Sequence, residues 1–265
     1  MLDSAGKVAE RGAELVARVL RVRPNAVLGL ATGKTPIKLY RQLIGKYRAG
    51  ELSFGRVSTF NLDEYLGIEP DDPRSYRAYM EREFFGHVDI DRANTHIPAC
   101  PPGENPKQVG PRYEERIRHA GGIDLQILGI GQNGHIGFNE PSSSLNSRTR
   151  VKTLAGKTVE DNSELLSPGE FQPRLAITMG IATIMQARRV LLLATGAKKT
   201  AAVAQMVEGP VTAMCPASIL QMHEYVTVLV DEAAAAALKN RAYYDLTFRE
   251  NEALDERFGA YYADS

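Results

Sequence analysis

Tryptophan is absent from these 265 residues, and cysteine occurs only as Cys100 and Cys215. The two cysteines lie far apart, each precedes a proline, and neither belongs to a CxxC pair. A zinc site or a disulfide framework therefore has no support, and no metal is expected. Two reduced thiols suit a cytoplasmic chain. Excess charge is also missing: Lys+Arg and Asp+Glu both number 32, so the formal net charge is zero. That balance argues against broad electrostatic binding to nucleic acid or to an anionic membrane, but it leaves room for a local positive pocket. No apolar run reaches the roughly 18 residues that a membrane-spanning helix needs. The opening MLDSAGKVAERGAELVARVL has the pattern of an amphipathic helix rather than a secretory signal. Internal repeats and low-complexity linkers are absent as well.

What is present alternates between helical and strand patterns, the mark of a parallel sheet covered by helices. Val8, Leu15, Val16, Val19 and Leu20 form a helical stripe over residues 5–22. Residues 26–31 form a short apolar strand. Thr35 then serves as the expected N-cap, and Pro36 as the first residue, of a helix to about Tyr47. Strands are expected over 56–61, 124–130, 174–178, 189–194 and 225–230. Helices are expected over 75–85, 106–119, 198–207 and 232–245. The polar stretch 154–173 is either a surface loop or a lid that closes over a ligand. The charged C-terminal stretch reads as a solvated helix or an oligomer contact.

Three segments carry chemistry. In the first, Leu28 to Pro36, a strand ends, small residues follow and a helix begins. A helix N-terminus has unpaired N–H groups and a partial positive charge, which suit a phosphate. Gly33 allows close backbone approach, and Thr32 and Thr35 add hydroxyls. An ordinary well-capped turn would look the same. The Gly-Lys-Thr string also suggests a nucleotide-binding P-loop, but position 28 is leucine and the available Gly29 is one residue out of register. In the second segment, Thr59 to Tyr65, the adjacent Asp63 and Glu64 stand at a strand's carboxyl end, where ligands collect in open parallel sheets. One of them can act as a base while the other caps a turn or faces solvent. The third runs from Gly129 to Pro141. Four glycines within nine residues surround His135, and Glu140 follows, placed to orient the imidazole.

In this order the three segments resemble the glucosamine-6-phosphate deaminase/isomerase family. The matching strings are Gly29-Leu-Ala-Thr-Gly33 with Thr35-Pro36, Asn61-Leu-Asp-Glu-Tyr65, and Gly129 to Pro141 with its His-Ile-Gly-Phe-Asn-Glu-Pro core. Ser75-Tyr76, Phe84-Phe85 and Ser147 to Lys152 fit too, so the likeness covers about residues 5–245. Related 6-phosphogluconolactonases share the fold, but an Ala-Ser-Leu-Phe-Pro type string follows their histidine, unlike Ile136 to Pro141. The resemblance implies a single α/β domain over 1–265, a three-layer α/β/α sandwich with a Rossmann-like, mostly parallel sheet. It implies conversion of an amino-sugar phosphate to a ketose phosphate and ammonia, without metal or organic cofactor. His135 would open the sugar ring, and Asp63 would carry a proton from C2 to C1. Glu140 and Asn133 would support His135. Lys199, together with Thr32, Gly33, Lys34 and Thr35, would hold the phosphate. Ser143, Arg150 and Lys152 match an effector site between subunits of hexameric relatives, so a homo-oligomer is one arrangement the family allows.

Three positions depart from the pattern. Asn133 stands where some members have aspartate. Glu164 falls where the family has a phosphate-binding arginine. Lys34 replaces a glycine and would restore the positive charge lost at Glu164. The chain also begins close to its first helix, where relatives carry a short strand. An enzyme acting on another sugar phosphate (galactosamine 6-phosphate or a lactone) and a non-catalytic sugar-phosphate sensor remain as alternatives.

Overall fold

A computed structural model describes residues 1–154 and 174–258. The expected lid at 154–173 therefore lies outside the described residues, apart from Leu154, and so does Glu164.

The first helix, α1 (Ala5–Val22), starts where the Ser4 side chain accepts the Lys7 N–H at 3.3 Å, a standard N-cap. Strand β1 (Val27–Leu30) and helix α2 (Lys34–Arg48) follow. Next come β2 (Ser58–Asn61), β3 (Asp63–Tyr65), α3 (Tyr76–Glu83), β4 (Thr95–His96) and α4 (Pro106–His119). The rest is β5 (Leu125–Leu128), β6 (Arg150–Thr153), β7 (Leu175–Thr178), α5 (Ile181–Ile184), β8 (Val190–Ala194), α6 (Thr200–Glu208), β9 (Val226–Val230) and α7 (Arg241–Phe258).

Six strands form one sheet in the order β4-β2-β1-β5-β8-β9, and every pairing in it is parallel. Its central strands are buried along their whole length because both faces are covered, which is why they read as plain apolar runs. Side chains alternate between two cores. Leu191 and Leu193 join Val16, Leu39 and Met80 on the side of α1, α2 and α3. Val190 and Leu192 join Tyr113, Ile184 and Val203 on the side of α4, α5 and α6. This alternation makes the expected three layers.

Several expectations need correction. Helix α2 begins at Lys34 with Gly33 as its N-cap, two residues before the expected Thr35 cap. Gly33 takes φ +108°, so the chain can turn sharply and start helical dihedrals early. Pro36 is tolerated there because the first four helical N–H groups have no intrahelical partner. The helix expected over 232–245 starts only at Arg241. The Asp231 carboxylate accepts the Ala234 N–H, and the Glu208 carboxylate accepts the N–H groups of Lys239 and Asn240. These bonds hold the intervening chain in turns. The 174–178 strand belongs to a separate antiparallel sheet, β3-β7-β6, which sequence patterning did not separate from the parallel one. Ahead of α1, one parallel bridge joins Leu2 to Asp231: the Leu2 N–H reaches Val230 O at 3.0 Å, and the Glu232 N–H reaches Leu2 O at 3.1 Å.

Candidate active site

Strand order reverses at β1: β2 lies on one side of it and β5 on the other. In such sheets the crevice beyond the carboxyl ends of the strands is where ligands bind. A cavity of about 510 Å³ lies there, walled by the turns after β1, β2, β5 and β8. It is lined by Asp63, His135, Thr32, Gly33, Lys34, Thr35 and Lys199 together. Residues scattered over more than half the chain thus face one space.

Asp63 opens β3 and is 5% exposed. Burial, and then the neighbouring Glu64 charge, push its carboxyl up to about 8. Glu64 faces elsewhere. Its Oε1 accepts the N–H groups of Tyr65 and Tyr76, both at 2.9 Å, and its Oε2 accepts that of Arg77 at 3.1 Å. Glu64 therefore binds the free N–H groups at the start of α3. Of the two adjacent carboxylates, one caps a helix and the other faces the cavity.

The segment around His135 is a chain of tight turns. The His135 N–H is held by Asn133 Oδ1 at 3.2 Å, and Asn133 Nδ2 donates to Glu140 Oε2 at 2.8 Å. Glu140 Oε2 lies 3.6 Å from His135 Nδ1, and Nδ1 itself is buried without a hydrogen-bond partner among the described residues. A small closure would make that bond, as catalytic hydrogen bonds often do once substrate binds. Gly131 is required here, because a methyl on it would overlap the His135 imidazole. Gly134 takes φ +84°, and a methyl there would fall 2.6 Å from Cys215 Sγ.

The antiparallel sheet fastens this loop beside Asp63. Thr178 pairs with Asp63 across β7 and β3, and its Oγ1 accepts the Phe138 N–H at 3.0 Å. A Cβ on Gly137 would lie 3.4 Å from Asp63 Oδ2. Asn139 donates to Ile136 O and Met179 O, both at 2.9 Å, and accepts from Arg150 Nη1 at 2.9 Å.

In the turn after β8, Gly196 takes φ +87° and gives its N–H to both Asp231 oxygens, at 2.9 and 3.0 Å. This fixes the turn that carries Lys199. Sequence reasoning missed Lys38, Tyr76 and Gly196, all of which line the cavity. Lys38 could have been found from its place one helical turn after Lys34. Tyr76 packs on Tyr65 and Phe138 at ring-centroid distances of 5.0 and 6.0 Å. Its hydroxyl donates to Tyr65 OH at 3.4 Å, and burial raises the phenol well above its ordinary range.

Ser143, Arg150 and Lys152 do not line the cavity. Ser143 is buried just after Glu140, whose carbonyl accepts its N–H at 2.9 Å. Arg150 is tied to the His135 loop through Asn139. Lys152 lies two residues further along β6, on the same face. Among the described residues, no cluster of three or more His, Cys, Asp or Glu side chains could hold a metal ion.

Residues 3–229 match the family described as glucosamine-6-phosphate isomerases/6-phosphogluconolactonase. The glucosamine-6-phosphate deaminase of Colwellia psychrerythraea is 55% identical over 262 residues, covering 99% of this chain and 98% of that protein. The deaminase of Cellvibrio japonicus is 52% identical over 261 residues, covering 98% of each. Among solved structures, a monomeric glucosamine-6-phosphate deaminase superposes with a TM-score of 0.86 at 42% identity, over 89% of this chain and 97% of that one. A 6-phosphogluconolactonase from Trypanosoma brucei gives a TM-score of 0.68 at 20% identity over 90% of this chain and 98% of that one, a likeness of fold.

Proposed function

Because the chain belongs to the family of glucosamine-6-phosphate isomerases and 6-phosphogluconolactonases, we propose that it converts glucosamine 6-phosphate and water to fructose 6-phosphate and ammonia. The observation that supports this most is that Asp63 and His135 face one cavity, beside a loop suited to a phosphate. Isomerising an amino sugar needs a base for a carbon-bound proton and a separate group to manage the ring oxygen. Asp63 would be the first and His135 the second.

The phosphate would sit against the N-terminus of α2, within reach of Thr32, Gly33, Thr35 and Lys199. Lys34, which lines the same cavity, would add the positive charge that the family draws from its lid arginine. His135 would protonate the ring oxygen as the ring opens, with Glu140 steadying the imidazolium that precedes transfer. Asn133 would orient Glu140 by hydrogen bonding but would not neutralise charge. Asp63, as carboxylate, would take the C2 proton, forming an enolamine, and return it to C1 to give the C2 imine. Water adds to C2 and ammonia leaves, which completes the ketone. Burial suits this base: a carboxyl with a pKa near 8 is a far stronger base than one near 4. A cytoplasmic location fits the same reading.

The test is direct. Purified protein should release ammonia from glucosamine 6-phosphate, and Asp63→Asn should lower kcat by at least about 10³-fold. Galactosamine 6-phosphate and 6-phosphogluconolactone should be poorer substrates. Binding of glucosamine 6-phosphate with no ammonia from the wild-type protein would show a sensor and end the catalytic reading.

A further inference from the structure

A second concavity, of about 360 Å³, lies between α2 and α3, away from Asp63 and His135. It is lined by Arg41 and Arg48 from α2, Arg82 and Glu83 from α3, and His87 just beyond. Glu83 is the one carboxylate in this lining, and its Oε1 already accepts from Arg82 Nε at 2.9 Å. Arg41 and Arg48 have no ion-pair partner among the described residues. In a chain whose net charge is zero, this is a marked local excess of positive charge.

The arrangement follows from helix geometry. Lys34, Lys38, Arg41, Gly45 and Arg48 recur three and four apart along α2, so they share one face. The first two reach the Asp63–His135 cavity, and the last three line the groove. Gly45 keeps the floor open, since nothing lies within 4 Å of where its side chain would be. Across the groove, the Arg82 guanidinium sits 5.7 Å from the Tyr79 ring centroid. Tyr79 OH in turn donates to Gly33 O at 2.6 Å, at the N-cap of α2. The groove thus backs directly onto the loop that lines the first cavity.

We propose that this groove is a second anion site, distinct from the first cavity, that takes the phosphate of a small phosphate ester. Guanidinium groups arriving from two helices suit the several oxygens of a phosphate dianion, which a single exposed charge would hold only weakly. The volume is within the range of small-ligand pockets. Through Tyr79, an occupied groove would be felt at Gly33.

His87 is a local reporter. Titrating the full-length chain with inorganic phosphate at constant ionic strength should move the His87 imidazole proton resonances saturably. Arg41→Gln/Arg48→Gln should weaken that response at least tenfold, with the melting temperature unchanged. Equal responses in both proteins, or none in the wild type, would overturn the assignment. Lys199→Ala, which disturbs the first cavity, should leave the His87 response intact; its loss there would mean that His87 reports the first site instead. Glucose 6-phosphate should move the same resonances and glucose should not; an equal effect of glucose would rule out phosphate recognition. None of these outcomes depends on the reaction at Asp63.

Discussion

His135 shows how tightly single residues are specified at this site. Its ring occupies space that exists only because residue 131 has no side chain. Gly131→Ala should therefore displace the imidazole without unfolding the sheet behind it. A misplacement of about 1 Å is enough to cost about 10²-fold in rate. Ammonia release by Gly131→Ala should fall by about that factor, while its far-ultraviolet circular dichroism stays that of wild type. Retention of full activity would mean that the histidine is not where the chemistry occurs. The string around His135 was legible in the sequence, because glycines and a histidine set this close together leave few other purposes. The local pattern alone left Asp63 and Glu64 equivalent, and only the family resemblance singled out Asp63, because adjacent residues in a strand face opposite ways and which one turns inward depends on where α3 lies.

Helix α3 is the element that connects capping to chemistry. Glu64 takes three N–H groups at and before its start, and the first helical residue, Tyr76, lines the cavity. Glu64→Ala should lose about 1 kcal/mol or more of stability, the usual cost of a lost N-cap. Glu64→Gln keeps an acceptor but removes a charge that holds the Asp63 carboxyl up. The acidic limb of its kcat/KM profile should therefore move to lower pH, which a pH series on the two proteins would read. An unmoved limb would separate Glu64 from the base. Helices α1 and α4 match the limits read from sequence, since their caps and apolar stripes are local. The stretch 232–245 deceived because Glu208, far back in the chain, takes the N–H groups that a helix there would have used. The strands β3, β6 and β7 hold three or four residues each, too few for a period, and their pairings are long-range.

The whole fold carries the electrostatic burden of the site. Asp63 and Glu64 are both buried, and burial raises both carboxyls above their unfolded values near 4. A raised carboxyl holds its proton more tightly in the folded state than in the unfolded chain. Its contribution is thus fully favourable below pH 4 and is lost as pH rises toward the folded value, about 8 for Asp63. Asp63→Asn should remove that loss. Its melting temperature should match wild type near pH 4 and exceed it by about 3 °C or more at pH 8, in thermal melts across the range. A constant difference at every pH would show that Asp63 is not held protonated by the fold.

Apolar runs, caps and glycine strings act over a few neighbouring residues, so the strands β1, β2, β5, β8 and β9, the turn before α2 and the glycine-crowded histidine could be read directly from the chain. Which carboxylate faces inward, how Lys34 and Lys199 come to share a cavity, and that a short antiparallel sheet fastens Thr178 to both Asp63 and the histidine loop were decided only by tertiary structure. Those relations depend on strand order and on contacts between distant residues, and no local pattern encodes a distance across a sheet.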